Sequence, residues 1–366
     1  MGGRCRGCAA DRPRLASPPP TMGATVHAAF FSRTGDPSVI QWGELPDPAP
    51  GPGQVRVRTL AVAVDAVDAL VRSGRWSTPL TFPVAVGRDL VGVVDAIGPG
   101  VTGLREGDRV WTSSAGYAGR PGATAELVAV ERDRVYAVPD AADPVAFVAS
   151  LHPATAAVAA LHLRAHLQPG ETLVVVGANG AVGAALVQEG VASGADVVAV
   201  VRDARCVATL EEWGAEVVVA EAGSAADAIA DRRPGGIHVF IDTTGRADTA
   251  SAVRRLAPRG RAIVLAGRTS AELDLWTLQV RELRVEGFIL SALDASELRE
   301  VANQVNARWA EGRPLTAHVG EVLGFADAAE AHRRMEAGDL PRTADGFVGR
   351  LVLKPDAPSS GAPRTS

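Results

Sequence analysis

Between Glu171 and Leu290 the sequence switches repeatedly between short β-branched runs and Ala-, Leu- and Arg-rich stretches with helical spacing. ETLVVVG precedes AVGAALVQEGVASG, DVVAVV precedes DARCVATLEEWG, EVVVA precedes SAADAIADRR, and HVFIDTTG precedes TASAVRRLAPRG; RAIVLAG and LRVEGFIL close the series. A strand that returns parallel to its predecessor needs a crossover long enough for a helix. This rhythm therefore predicts β-α-β units in a doubly wound parallel sheet, an α/β fold.

The first strand-to-helix junction, VVVGANGAVG, carries glycines at 177, 180 and 183. Gly177 permits the tight turn, Gly180 lets backbone approach a pyrophosphate, and Gly183 lets the helix pack closely on its strand. Asn179, Ala181 and Val182 complete this predicted cradle, where the helix N-terminus meets the anion. The end of the next strand selects the cofactor, because an acid there grips the ribose 2′-hydroxyl of NAD. Here Arg202 and Arg205 flank Asp203. Two guanidiniums favour a 2′-phosphate and hence NADPH. Thr243 and Thr244, then Ala266 and Gly267, end later strands and are expected to line the same crevice.

From about Ala24 to Ala149 the pattern is different: TVHAAFF, QVRVRTLAVAV, LVGVVDAIG, DRVW and ELVAV are short strands broken by Gly and Pro. They predict a β-rich, barrel-like domain, which the terminal run FVGRLVLK is placed to rejoin. A helix is expected after Pro153, in ATAAVAALHLRAHL. The expected division is 23–149 with 292–354 as one domain and 150–291 as the other, flanked by disordered extensions at 1–22 and 355–366. Cys5 and Cys8 fall in the first extension without a second ligand pair, so they predict no zinc site, and Met22 is a candidate start. Three cysteines among 366 residues exclude a disulfide framework and fit a reducing cytoplasm. A formal net charge of −5 argues against a nucleic-acid partner. No unbroken apolar run suggests a membrane span.

In sequence order, GELPDPAPGPGQVRVR, VDALVRSG, GRDLVGVVDAIGPGVTGLREGDRVW, GATAELVAV, GANGAVG, HVFIDTTG, LAPRGRAIVLAG and FADAAEAHRRMEAG followed by GRLVLK resemble the medium-chain dehydrogenase/reductase superfamily, in its zinc-free quinone oxidoreductase branch. The resemblance spans about residues 24–354. It implies a GroES-like catalytic domain around a Rossmann domain, a cleft between them for the cofactor, and a homodimer. The dimer would pair the edge strand LRVEGFIL with its twin. Thr155 resembles a family threonine beside the nicotinamide, and Leu290 is placed to wall the same pocket.

Zinc-dependent relatives take one catalytic ligand from a cysteine where this chain has Asp65, and another from a histidine where it has Arg88. Without those ligands no thiolate-imidazole zinc site is expected. A metal-free reductase suits acceptors that spread negative charge onto oxygen unaided, such as quinones and α,β-unsaturated carbonyls. Asp65 stands where quinone reductases carry a polar amide; if buried with a raised pKa, it is a candidate proton donor. Tyr117, in the glycine-flanked loop SSAGYAGRPG, is a second candidate, since the family tyrosine position holds Leu70. His162 and His166 lie four apart on a helix with no third ligand. Two alternatives to the quinone or enone reductase remain: a reductase of carrier- or CoA-bound enoyl thioesters, and an NADPH-binding protein without catalysis.

Overall fold

The computed structural model describes residues 23–355 apart from Ala141, Asp231, Arg268, Thr269 and Thr316. The expectations for residues 1–22 and 356–366, including the Cys5/Cys8 pair, lie outside the described residues.

The first part of the chain forms β1 (Thr25–Phe31), β2 (Gln41–Pro46), β3 (Gln54–Ala63), helix α1 (Ala66–Arg72), β4 (Val84–Ala85), β5 (Asp89–Ile97), β6 (Arg109–Thr112), β7 (Leu127–Glu131) and β8 (Tyr136–Ala137). In β3 the alternation of the sequence becomes an alternation of burial: Val55, Val57 and Thr59 point inward, while Gln54, Arg56 and Arg58 stay partly or fully exposed.

Helix α2 (Pro144–Val158) starts nine residues before Pro153, not after it. Asp143 caps it by accepting from the N–H groups of Val145 and Ala146, and Pro144 occupies the first turn, where no N–H is needed. Pro153 thus sits inside a helix that packing sustains, although alone it reads as a breaker. The helix continues as a π-helix over Ala159–Arg164. The segment Pro144–Arg164 is long and apolar enough to cross a membrane by length and composition, which corrects the expectation that no such run exists. Within the fold its apolar window is 78% buried, packed against the helix Ala181–Ala192 and against β3 and β5.

The alternating region folds as β9 (Thr172–Val176), α3 (Ala181–Ala192), β10 (Asp196–Val201), α4 (Val207–Glu212), β11 (Glu216–Val219), α5 (Ala225–Ala230), β12 (Ile237–Asp242), α6 (Thr249–Arg255), β13 (Leu256–Val264), α7 (Leu275–Val280) and β14 (Arg284–Gly287). The strands form one six-stranded parallel sheet in the order β11-β10-β9-β12-β13-β14. The order reverses between β9 and β12, at the switch point where such sheets bind ligands beyond their carboxyl ends. Leu173, Val174, Val175 and Val176 are at most 1% exposed. Each contributes up to about 1.5–3 kcal/mol on an extended-chain reference, so the sheet that ends in the glycine loop is rigid.

Helix α8 (Ala295–Ala310), β15 (Val319–Gly324), α9 (Ala328–Ala337) and β16 (Arg350–Lys354) complete the chain. Strands β15 and β16 return to the first part, giving the order β15-β16-β3-β5-β6-β8 with β7 also paired to β3. Beside it β2-β1-β4 forms a smaller sheet. Helix α8, grouped from sequence with the β-rich domain, instead buries Leu298, Val301 and Val305 in the core beneath the parallel sheet. Glu189 of α3 clamps the helices here, accepting from Arg308 of α8 and bonding His162, each at 2.7 Å. The His162/His166 pair is therefore structural at its first member.

Candidate active site

The glycine loop has the geometry its spacing predicts. Gly177 has φ +82°, a left-handed conformation that favours glycine. A Cβ on Gly183 would lie 2.2 Å from the Gly177 carbonyl oxygen, so α3 packs this closely only with glycine there. A Cβ on Gly180 would meet only that same oxygen, at 3.3 Å. Gly180 is the N-cap of α3 and has no capping side chain, so the first-turn N–H groups, from Ala181, Val182 and Gly183, are left for an anion. These residues fit a dinucleotide pyrophosphate.

The other residues predicted to hold the cofactor are placed less simply. Asn179 Nδ2 donates to the Gly346 carbonyl at 3.1 Å, and Val348 N–H donates to the Asn179 carbonyl at 3.0 Å. Asn179 thus ties the loop to the segment before β16. Thr243 Oγ1 donates to the Val176 carbonyl at 2.9 Å, bracing the loop from the next strand. Thr155 is fully buried and returns its hydroxyl to Leu151 O at 2.6 Å, so it presents no free group. Leu290 packs into the core and is 6% exposed. Ala266 and Gly267 follow β13 at the carboxyl edge of the sheet.

The two arginines beyond β10 differ. Arg202 is exposed and has no ion pair among the described residues. Arg205 is bound by Asp203, Nη2 to Oδ2 at 2.6 Å and Nε to Oδ1 at 3.0 Å. That contact holds the Asp203 carboxyl down at about 2. Arg202 is free for a 2′-phosphate, whereas Arg205 must first leave Asp203.

Where β3, β5, α2 and β16 meet lies a cluster of buried charges. Asp65, at the N-cap of α1, accepts from Arg350 Nη2 at 2.6 Å. Its backbone N–H donates to Asp68 Oδ2 at 2.9 Å, and Asp68 Oδ1 takes Arg88 Nε at 2.7 Å. Arg88 also donates through Nη1 to Ser291 Oγ. Asp89 Oδ1 accepts from the N–H of Ser114, a buried residue at φ +65°. Three further atoms of the cluster have no hydrogen-bond partner among the described residues: Asp65 Oδ2, Asp89 Oδ2 and His152 Nδ1. His152 Nδ1 lies 3.6 Å from Asp89 Oδ2 and 4.0 Å from Asp65 Oδ1.

The charges in the cluster settle which group can give up a proton. Burial pushes Asp65 up, but Arg350, with His152 and Arg88 behind it, overcomes this and holds the carboxyl below its ordinary range. The expectation of a raised, proton-donating Asp65 is therefore corrected: it is buried but ionised. Its neighbour Asp68 moves the other way, to about 6, because of burial and the Asp65 charge, despite Arg88. Burial works to lower His152, yet the Asp65 and Asp89 carboxylates outweigh it and Arg88, so its pKa is raised. The His152 side chain is also 18% exposed, against 0–3% for Asp65, Asp68, Arg88 and Asp89. Among these groups the imidazole has the most access to the surface.

Residues 51–140 match the family described as Alcohol dehydrogenase GroES-like domain, and residues 181–307 match Zinc-binding dehydrogenase. The chain is 28% identical over 327 residues to the quinone oxidoreductase of Rattus norvegicus, covering 87% of this chain and 94% of that one. Among solved structures, AibC superposes with a TM-score of 0.80 at 26% identity, covering 95% of this chain and 100% of that one. Mycobacterial Rv1454c complexed with NADPH gives a TM-score of 0.75 at 27% identity, covering 90% and 100%.

The chain belongs to the medium-chain dehydrogenase/reductase superfamily. It falls in the quinone oxidoreductase branch and is an oxidoreductase with a nicotinamide cofactor and a small-molecule substrate. A superfamily member of the zinc-dependent kind needs its ligand positions filled by thiolate and imidazole. Here position 65 is a carboxylate already paired with Arg350, and position 88 is itself a cation. That zinc does not fit these residues. The trio Asp65, Asp89 and His152 does bring three ligand-type atoms within 4.8 Å of one another, a grouping that sequence spacing does not show. His152 sits far in sequence from both acids, and only the fold reveals the grouping.

Tyr117, the other predicted catalytic residue, packs against Trp76 with ring centroids 5.3 Å apart and the planes tilted by 53°. The Arg120 guanidinium lies 5.3 Å from its ring. Its hydroxyl has no hydrogen bond among the described residues. Tyr117 is thus part of an aromatic-arginine wall that runs through Trp76 to Arg88, 6.0 Å from the Trp76 ring.

Proposed function

We propose that this oxidoreductase uses NADPH to reduce a quinone or an α,β-unsaturated carbonyl, without a metal ion, and that His152 supplies the proton. The observation that carries the reading is the ion-paired cluster at positions 65 and 88, where zinc-dependent relatives bind their metal. The bound reduced nicotinamide supplies a hydride to an electron-poor carbon. A conjugated acceptor spreads the resulting charge onto oxygen, so it needs a cation and a proton but no Lewis acid. Arg88, oriented by Asp68 and Ser291, supplies positive charge for that oxygen. His152, gripped between Asp65 and Asp89, holds the proton on a side chain that reaches the surface. Exposed, unpaired Arg202 supports NADPH over NADH.

Stopped-flow oxidation of NADPH against quinones, enones and enoyl thioesters tests the reading. Turnover of quinones or enones is expected, unaffected by prolonged chelation. The rate should fall as pH rises through the elevated His152 pKa, because the acid is lost there. His152→Gln should lower the rate by about 10²–10⁴-fold and abolish that alkaline limb. Turnover confined to thioesters would reassign the substrate. Tight NADPH binding with no turnover of any acceptor would overturn the reading.

A further inference from the structure

Between the loop after β6 and strand β7 lies a cavity of about 280 Å³, lined by Gln54, Thr112, Ser113, Arg120, Glu131 and Arg134 among others. That volume is near the lower end for small-molecule sites. Its charge is unbalanced. Neither Arg120 nor Arg134 has a carboxylate partner among the described residues. Arg120 donates to the carbonyls of Ser114 and Ser291, at 2.9 and 3.2 Å, and Arg134 to that of Leu293, at 3.1 Å. One acid, Glu131, lines the cavity, and it accepts from Gln54 Nε2 at 2.8 Å. Asp294 lies within range of Arg134, but its carboxylate caps α8, accepting from the N–H groups of Ser296 and Glu297. Burial, with repulsion from Arg134 and Arg88, pulls Arg120 down to about 10.

Two residues of the lining each hold an enclosed polar atom with no partner, Ser113 Oγ, on a residue 1% exposed, and Arg134 Nη1. A buried guanidinium N–H left unpaired costs about 1–3 kcal/mol or more, so its persistence calls for an acceptor. Two guanidiniums and a hydroxyl lining one cavity match the oxygens of a carboxylate or phosphate. From Arg120 the contact runs directly to Ser291, whose hydroxyl also takes Arg88 of the buried cluster.

We propose that this cavity binds a small anionic group, a carboxylate or phosphate, on Arg120, Arg134 and Ser113. The shared Ser291 makes the tail of the reductase's own substrate one source, and that assignment rests on the function proposed above; a free anion is the other.

Titration of the full chain with inorganic phosphate and with acetate, at constant ionic strength, tests the site without using activity. Saturable binding with thermal stabilisation is expected. Arg134→Gln should weaken it at least tenfold. Ser113→Ala removes only an unpartnered hydroxyl, so it keeps the fold and should weaken binding several-fold. No saturable binding of either anion, or equal binding in wild type and both variants, would overturn the proposal.

A kinetic arm separates the sources, comparing a carboxylate-bearing enone with its methyl ester. A substrate-tail site gives a kcat/KM preference for the acid that Arg134→Gln erases. Anion binding without such a preference assigns the cavity to a free anion. Failure of all turnover with anion binding intact would sink the reductase reading and leave the site standing.

Discussion

At the scale of single residues, local backbone geometry sets the glycine loop. Gly177 and Gly183 are required by a positive φ and by a 2.2 Å approach, both consequences of a turn and a helix that adjoin in sequence. The protonation states were not legible. Asp65 is held ionised by Arg350, 285 residues away, and His152 acquires its charge from acids on two other elements. The cofactor arginines fall between these cases. Their position was readable, but Asp203 sequesters Arg205 in a way the order R-D-A-R does not reveal. This gives an opposed pair of expectations. Arg202→Ala should weaken NADPH about tenfold or more, the loss of a charge-assisted contact, and leave NADH nearly unchanged. Asp203→Asn frees Arg205 and should raise the NADPH-over-NADH preference. Fluorescence titration with both cofactors checks this. Equal changes for NADPH and NADH in either variant would remove the 2′-phosphate assignment.

At the scale of elements, the parallel sheet was legible because each strand is a continuous apolar run and each crossover a helix. Helix α2 starts earlier than its sequence suggests, because Pro153 reads locally as a breaker while the packing that sustains the helix comes from elsewhere. Helix α8 has a polar sequence that hides the Leu298–Val301–Val305 stripe, which joins the core beneath the parallel sheet. The junction of β9 with α3 yields a prediction in which folding and binding separate. Gly183→Ala forces a Cβ against backbone that cannot yield, an overpacking of about 1–3 kcal/mol, and should lower the melting temperature by several degrees. Gly180→Ala meets only one atom at 3.3 Å, with φ −81° and ψ 162°, which alanine adopts freely. Its melting temperature should hold while NADPH affinity drops, because the new methyl fills the pyrophosphate cradle. Thermal unfolding and cofactor titration on both variants decide the matter. Loss of stability in Gly180→Ala equal to that in Gly183→Ala would show the loop to be structural only.

At the scale of the whole molecule, the parallel sheet ends in an unprotected edge. Strand β14 is outermost, paired only with β13, so one row of its backbone groups has no partner in the sheet. In β14 and the segments that adjoin it in sequence, Leu275, Trp276, Val280, Val285 and Ile289 are 74, 69, 53, 37 and 44% exposed, unlike most large apolar side chains of this chain. A second copy of the chain, related by a two-fold axis, would cover both features at once. Antiparallel pairing of two β14 strands centred on Val285 sets Arg284 opposite Glu286 of the second copy, twice, so the charges on this strand complement themselves. Extending the sheet this way leaves the glycine loop untouched, because it lies at the carboxyl ends of the strands. Sedimentation should therefore show a dimer at micromolar concentration. Val285→Lys sets like charges face to face on the axis, and Trp276→Glu buries a carboxylate in the apolar patch; both should give monomers that still bind NADPH. A wild-type monomer at tens of micromolar would refute the pairing, and a dimer unaffected by both substitutions would place the interface elsewhere.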